Sequence, residues 1–347
     1  MRDCWRCDNQ REEEQVIKVA VLDDWQQIAR GSADWSALQA RAEITFFSEA
    51  FASEDDAGIA LADFDIVLSM RERTPFPRSL IERMRRLRML GITGPRNLSL
   101  DLKACTERGV VVCNTAAGSG SSTAELALGL LLSVARAIPA GDAAIRTGRF
   151  QEGVPVGITL AGKTLGVVGV GRLGSLMAQY GRALGMAVLG WSQNLTGEAA
   201  AAAGVELATK DELLARSDAV SLHLVLSPRS RNIIGAAEIA RMKPGAILIN
   251  TSRGPLVNED ALIEALHAGR LFAGLDVYDR EPLPADHRLR RAPNTVLMPH
   301  LGYGVAETWR IFYPQSLENA LAFLDGKPVR VVNPEVLTNT PASSLEN

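Results

Sequence analysis

The chain has 347 residues, 47% of them hydrophobic and 22% charged, with a formal net charge of -3. That length predicts two domains, and the composition is that of a globular protein able to bury a core. The charge balance argues against a nucleic-acid partner, and no uncharged apolar run of about 18 residues offers a membrane span. A cytoplasmic protein without nucleic-acid or membrane partners is the expectation.

Residues 1–15 are polar and charged and read as a disordered leader. Cys4 and Cys7 form a C-x-x-C within it, a spacing used by zinc and redox sites. The remaining cysteines, Cys105 and Cys113, lie in or beside apolar segments without such spacing, so no metal is expected. From residue 16 the pattern alternates, with strands expected over 16–22, 44–47, 65–70, 87–92 and 110–113 and helical stretches between them. Such a rhythm predicts a mostly parallel sheet covered on both faces. Two loops follow strand ends, Arg71-Glu72-Arg73-Thr74-Pro75 and Thr93-Gly94-Pro95-Arg96-Asn97. Strand carboxyl ends are the usual ligand positions of such sheets. Arg71 and Arg96 are candidates for meeting an anionic substrate, against the alternative of solvated loop arginines. Gly94 would let a backbone N–H approach a carboxylate.

Residues 115–123 are rich in glycine and serine and read as a connector. The helix expected over 123–137 is apolar almost all round and must be covered on several sides, between domains or between subunits. Glu125 near its start suits the helix dipole. Residues 165–174, LGVVGVGRLG, then combine a buried strand, a glycine turn and a helix start. This is the context in which a G-x-G-x-x-G holds a dinucleotide pyrophosphate. Gly169 would make the turn, Gly171 would admit the phosphates, and Gly174 would let helix and strand pack closely, with Arg172 and Leu173 opening the helix.

Further strands are expected at 186–191, 219–222, 246–250, 272–276 and 295–298, with a helix over 259–268 capped by Asn258. A last helix over 306–324 contains Pro314, expected to kink or divide it, and a polar tail follows from 334 to 347. An NAD site would place an acid at the end of the strand over 186–191, on the ribose 2′-hydroxyl. Ser192 stands there instead, followed by Gln193 and Asn194. A missing carboxylate removes repulsion of a 2′-phosphate, but no Arg or Lys follows at once to hold one. NAD and NADP both stay open, with a lean to NADP.

Three loops past strand ends carry the polar residues that suit redox chemistry: Arg253 in NTSRG, Glu281 in DVYDREP and His300 in PHLG. Arg253 could clamp a carboxylate through two parallel hydrogen bonds. His300 could exchange a proton with a hydroxyl or carbonyl oxygen, and Glu281 could fix its tautomer and favour its protonated form. On residues alone, a buried structural histidine and an ion-pairing arginine compete with that reading.

The pieces VVGVGRLG, SLHLVLSPRSRNIIG, MKPGAILINTSRGPLVNEDAL, AGLDVYDREPLP and VLMPHLG closely resemble the D-2-hydroxyacid dehydrogenase family, in family order and spacing. The resemblance implies two Rossmann-like α/β domains with parallel sheets and an active-site cleft between them. Residues 16–120 with 304–333 would form a flavodoxin-like substrate domain. Residues 121–303 would form the dinucleotide-binding domain, with 121–140 helping to build a two-fold homodimer. The implied reaction is reversible hydride transfer between NAD(P) and a 2-keto/2-hydroxy acid, with D stereochemistry. Arg253, Glu281 and His300 would be catalytic, and Arg71, Gly94 and Arg253 would bind substrate. Gly169, Gly171, Arg172, Leu173, Gly174, Ser192, Gln193, His223, Thr251 and Asp276 would hold the cofactor, Asp276 at the nicotinamide carboxamide. Ser192 departs from the Asp of NAD-preferring members, Val225 from a common proline, and Tyr303 from the small residue often found there. A non-enzymatic dinucleotide-binding scaffold or sensor is the alternative; the complete Arg/Glu/His set argues against it.

Overall fold

The computed structural model describes residues 16–339. The leader over 1–15, with Cys4 and Cys7, lies outside the described residues. The chain divides into two compact units, one running to Gly118 and resuming at Trp309, the other Ser119–Thr308.

In the first unit five strands, β1 (Ile17–Val21), β2 (Ala42–Phe46), β3 (Ile66–Ser69), β4 (Met89–Ile92) and β5 (Val111–Asn114), form one parallel sheet. Its order is β2-β1-β3-β4-β5. β3 and β4 are buried at every position. That burial explains why IVLS and MLGI read as near-continuous apolar runs instead of alternating ones, since helices cover both faces of a parallel sheet. Val67, Leu90 and Val112 of the sheet pack with Phe76, Leu80, Ile81 and Met84. Short polar side chains start the covering helices: Ser53 accepts from Asp56 N–H at 3.1 Å and Asp101 from Ala104 N–H at 2.8 Å. The order reverses between β1 and β3, so the crevice at their carboxyl ends is the ligand position of this sheet type. Cys105 and Cys113 are buried here, and burial pushes both thiols up to about 12, which leaves them as inert core residues.

The second unit holds seven parallel strands: β6 (Thr164–Val168), β7 (Ala187–Trp191), β8 (Glu206–Leu207), β9 (Ala219–Leu222), β10 (Ala246–Asn250), β11 (Leu271–Leu275) and β12 (Thr295–Leu297). The order is β12-β11-β10-β9-β6-β7-β8, with the reversal between β6 and β9. This is the doubly wound dinucleotide-binding order with one strand added at the far edge. The helix Ser122–Ala135 buries Ala124, Ala127, Leu130, Leu131 and Ala135 and packs on β10, β11 and the helix Arg172–Ala183. Much of the cover its composition demanded therefore comes from its own unit.

Two expectations need correction. Pro314 neither divides nor ends its helix, which runs unbroken over Ala306–Leu324. Proline removes one N–H, and burial of Phe312, Tyr313, Leu317 and Ala320 holds the helix on either side of it. The tail expected from 334 opens with a helix, Glu335–Asn339, whose Val336 is buried. Just before it, the Asn333 side chain accepts from Val112 N–H and donates to Val110 O, each at 2.9 Å, tying the segment to β5. Among the described residues no single helix is long and apolar enough to cross a membrane.

Candidate active site

The glycine turn sits at the reversal between β6 and β9. Gly169 has φ +101, and a Cβ there would lie 2.6 Å from the carbonyl oxygen of His223. A Cβ on Gly174 would meet Gly169 O at 2.0 Å, so only glycine lets the helix Arg172–Ala183 start this close to the turn. Gly171 caps that helix without a side-chain hydrogen bond, and a Cβ on it would project into open space. The helix N-terminus thus keeps its unpaired N–H groups and its positive dipole end for a ligand. Arg172 is exposed, Leu173 half-buried and Gly174 buried. Ser192 Oγ accepts from Val170 N–H inside the glycine turn at 2.9 Å. Gln193 beside it is exposed.

Buried polar groups without partners are rare and each asks for an explanation. His223 Nδ1, Thr251 Oγ1 and Ser122 Oγ are buried without a hydrogen-bond partner. His223 follows β9 and Thr251 follows β10, while Ser122 precedes Thr123, whose hydroxyl donates to Gly302 O past β12 at 2.9 Å. All three therefore lie on the carboxyl-end edge of one sheet, where a dinucleotide would meet them. The residues present fit such a cofactor: a cradle at Gly171, and polar atoms along the strand ends waiting for partners. His223 as a residue is half-buried, but its ring is enclosed, and that burial pushes its pKa down to about 4. The imidazole is neutral at ordinary pH.

The Arg/Glu/His set comes from the next three strand ends. Gly254 opens a short turn in which a Cβ would overlap the Tyr278 carbonyl carbon and oxygen at 2.0 and 2.2 Å. That close approach seats the Arg253 loop directly on the loop carrying Glu281. Glu281 Oε1 accepts from Tyr278 N–H at 2.9 Å, and Oε2 accepts a hydrogen bond from His300 Nδ1–H at 2.5 Å. Burial would raise the Glu281 pKa. The hydrogen bond and charge of His300, the Tyr278 N–H and the Arg253 guanidinium outweigh it and hold the carboxyl below its usual range. The Arg253 guanidinium also donates to Ser252 O at 2.7 Å, and its carbonyl accepts from Asn250 Nδ2 at 2.8 Å.

His300 has φ 54, a left-handed backbone that costs a non-glycine residue on the order of 1–3 kcal/mol. Asp276 offsets that strain. Its two oxygens accept from Leu301 N–H and Gly302 N–H, both at 2.8 Å, and the residue is fully buried. Desolvation raises its pKa against the opposing pull of Leu301 N–H, His300 and Gly302 N–H. In this structure Asp276 thus holds the turn that aims His300, a role its position in the sequence did not suggest. Tyr303 sets its ring edge-on to His300, centroids 5.9 Å apart.

In the first unit the geometry brings Arg71 and Gly94 together. Arg71 N–H donates to Thr93 Oγ1 at 2.7 Å and its guanidinium to Thr93 O at 3.0 Å, across the face of Gly94. Gly94 N–H donates to Thr115 Oγ1 at 2.8 Å, so a carboxylate approaching it would have to share or replace that partner. Arg96 is exposed. Asp23, which sequence reasoning passed over, lies two residues past β1 with φ 57, is almost fully buried, and accepts from Thr74 Oγ1 at 2.9 Å. Burial pushes it up to about 6, against the Thr74 hydrogen bonds and the charge of Arg73. Two adjacent aspartates after an apolar strand, Asp23-Asp24, were the available signal.

Residues 128–302 match the model of the D-isomer specific 2-hydroxyacid dehydrogenase, NAD binding domain. The hydroxypyruvate reductase of Blautia hydrogenotrophica is 32% identical over 328 residues, covering 91% of this chain and all of that protein. The chain belongs to the D-isomer specific 2-hydroxyacid dehydrogenase family, whose members are oxidoreductases that bind a nicotinamide dinucleotide. The D-3-phosphoglycerate dehydrogenase of Methanocaldococcus jannaschii is 40% identical over 243 residues, 70% of this chain but 46% of that protein. This chain thus spans about half the length of that relative. A solved phosphoglycerate oxidoreductase of Vibrio cholerae superposes with a TM-score of 0.83 at 33% identity, covering 90% of this chain and 100% of that one.

Proposed function

We propose that the protein reversibly moves a hydride between a nicotinamide dinucleotide and a small 2-keto/2-hydroxy acid, with D stereochemistry. The observation that carries this is the His300–Glu281 pair at 2.5 Å, with the Arg253 loop packed against it on the edge that also carries the glycine turn. The second unit would hold the dinucleotide, and Arg71 and the loop at Gly94 are the first unit's own candidates for an anionic substrate. When bound, the dinucleotide supplies or accepts the hydride.

The protein's own residues do the rest. The Arg253 guanidinium clamps the substrate carboxylate through two parallel hydrogen bonds and orients C2. Because Glu281 is an acceptor held in its ionised form, the Nδ1 proton stays on the His300 ring. Proton exchange with the C2 oxygen then falls to Nε2, which takes a proton during oxidation and gives one during reduction. Arg253 also stabilises negative charge growing on that oxygen. A neutral serine at position 192 supports a lean to NADP. Ile138, Ile145, Phe150 and Val156 form a run of exposed apolar side chains just after the helix Ser122–Ala135, which supports a homodimer built through this region.

Initial rates on glyoxylate, pyruvate, hydroxypyruvate and a phenyl-substituted 2-keto acid, with NADH and NADPH in parallel, test the proposal. Turnover on any of them is the expected result. Dinucleotide binding without turnover on the whole panel would favour the sensor reading. With an active substrate in hand, Arg253→Ala should raise KM by about two orders of magnitude, the loss of a charge-assisted pair. A catalytic efficiency near wild type would remove Arg253 from the substrate.

A further inference from the structure

Ser221 and His223 leave the same face of β9 and its extension, because side chains two residues apart on a strand point the same way. Ser221 is fully buried, and its Oγ lies 2.9 Å from His223 Nε2. A serine hydroxyl brings one proton, and a neutral imidazole brings one N–H and one bare nitrogen. Two arrangements are open. With the ring proton on Nε2, that nitrogen donates to Ser221 Oγ. The serine proton is then left without an acceptor and Nδ1 is left as a bare lone pair. With the ring proton on Nδ1, the serine hydroxyl donates to Nε2, and the donor left over is Nδ1–H. Each arrangement leaves one donor unmet in the protein alone, but an acceptor oxygen on the ligand edge can meet Nδ1–H and cannot meet the enclosed serine proton, so the second arrangement is favoured.

The surroundings say where that N–H is used. The backbone N–H of His223 donates to Val168 O at 2.7 Å, and the Gly169 turn lies against the His223 carbonyl. The ring therefore stands beside the turn that would take the pyrophosphate. Thr251 Oγ1, at the end of the adjacent strand β10, is likewise buried and unpartnered. Two waiting polar atoms on neighbouring strand ends point to a ligand on that edge.

We propose that Ser221 is a positioning residue that locks His223 in its Nδ1–H form, so that the ring presents one uncharged donor to an acceptor oxygen of the bound dinucleotide. This rests on the dinucleotide reading above. The neutral ring adds no charge to the site and discriminates by geometry alone.

The test uses the full chain labelled with 15N-histidine. The chain has 4 histidines, and His223→Asn identifies the signal of interest. Wild type should show His223 as a neutral ring protonated on Nδ1, and should bind NADH or NADPH in a fluorescence titration. Ser221→Ala should move the signal toward the Nε2–H form and weaken dinucleotide binding about three- to tenfold, the worth of one neutral hydrogen bond. Ser221→Thr, which keeps the hydroxyl, should retain both properties. If Ser221→Ala does not fold, Ser221→Cys, with its weak S–H donor, is read in its place. A wild-type ring protonated on Nε2 overturns the inference. So does a variant that loses the Nδ1–H signature while its dissociation constant stays unchanged. Failure of wild type to bind either dinucleotide overturns the functional reading itself, and is seen before any variant is made.

Discussion

Two histidine–glutamate pairs lie in the second unit, and they are wired in opposite senses. His300 donates a hydrogen bond from Nδ1–H to Glu281 at 2.5 Å, while His287 meets Glu259 through Nε2 at 3.1 Å. The His287 Nδ1 accepts from Leu289 N–H at 3.3 Å, so that ring caps a short helix. Glu281 is held below its usual range, with the Arg253 guanidinium among the causes. Glu259 is pushed up, by burial first and also by the neighbouring charges of Asp279 and Asp260. The same two residue types thus make the pair proposed for proton transfer in one place and a pair expected to be a structural tie in the other. What separates them is the company of cations or anions, and which ring nitrogen the backbone has already claimed.

The largest expected effects lie at the rings. His300→Ala should lower kcat by up to about 10⁴-fold, the range of a lost general acid–base, while dinucleotide affinity measured by fluorescence stays near wild type. A variant that turns over normally would end the assignment. Glu281→Gln keeps the shape and removes the charge, and should cost about 10²-fold in kcat. The sign of its pH effect follows from a lowered pKa. The carboxylate's contribution to stability is present above the ordinary value of 4.5 and is lost as pH falls through its depressed value. Urea titrations should therefore show the variant's deficit shrinking in acid.

Asp23 extends the comparison to a buried carboxyl whose hydrogen-bonding partner is a hydroxyl, with the charge of Arg73 close by but outweighed by burial. Its pKa rises from 3.8 to about 6. A raised pKa contributes stability that is complete below about 4 and lost as pH climbs through 6. The shift corresponds to about 3 kcal/mol. Asp23→Asn cannot ionise, and Asn tolerates the left-handed backbone. Its stability relative to wild type should improve by that order between pH 4 and pH 8. A difference that is flat with pH would show that Asp23 is solvated.

Much of this was legible in the chain itself. The strand ends predicted over 219–222 and 246–250 coincide with β9 and β10, because fully buried parallel strands are unbroken apolar runs bounded by polar residues. Arg253, Glu281 and His300 were readable as candidates because each follows such a run. The structural part of Asp276, its grip on the turn past β12, was not legible. Nothing local distinguishes a carboxylate that meets a ligand from one that captures two N–H groups 25 and 26 residues away. The Gly94 N–H was likewise spoken for by Thr115, a partner on another strand end. Pro314 looked like a break because its cost is local, whereas the packing that outweighs it comes from side chains on either side.

The finest discrimination lies with Glu259. Its carboxylate accepts from Asp279 N–H at 3.4 Å, two residues before Glu281 in the chain, and pairs with the His287 ring. If that pair is only a tie, Glu259→Gln preserves the backbone contact through its amide oxygen, and kcat should change by less than about threefold. Because burial raises the Glu259 pKa, its ionised form becomes a liability as pH rises, so the variant should gain relative stability toward alkaline pH. A large loss of kcat with unchanged KM would mean instead that the tie sets the distance between Glu281 and His300, and the two pairs would then be one device.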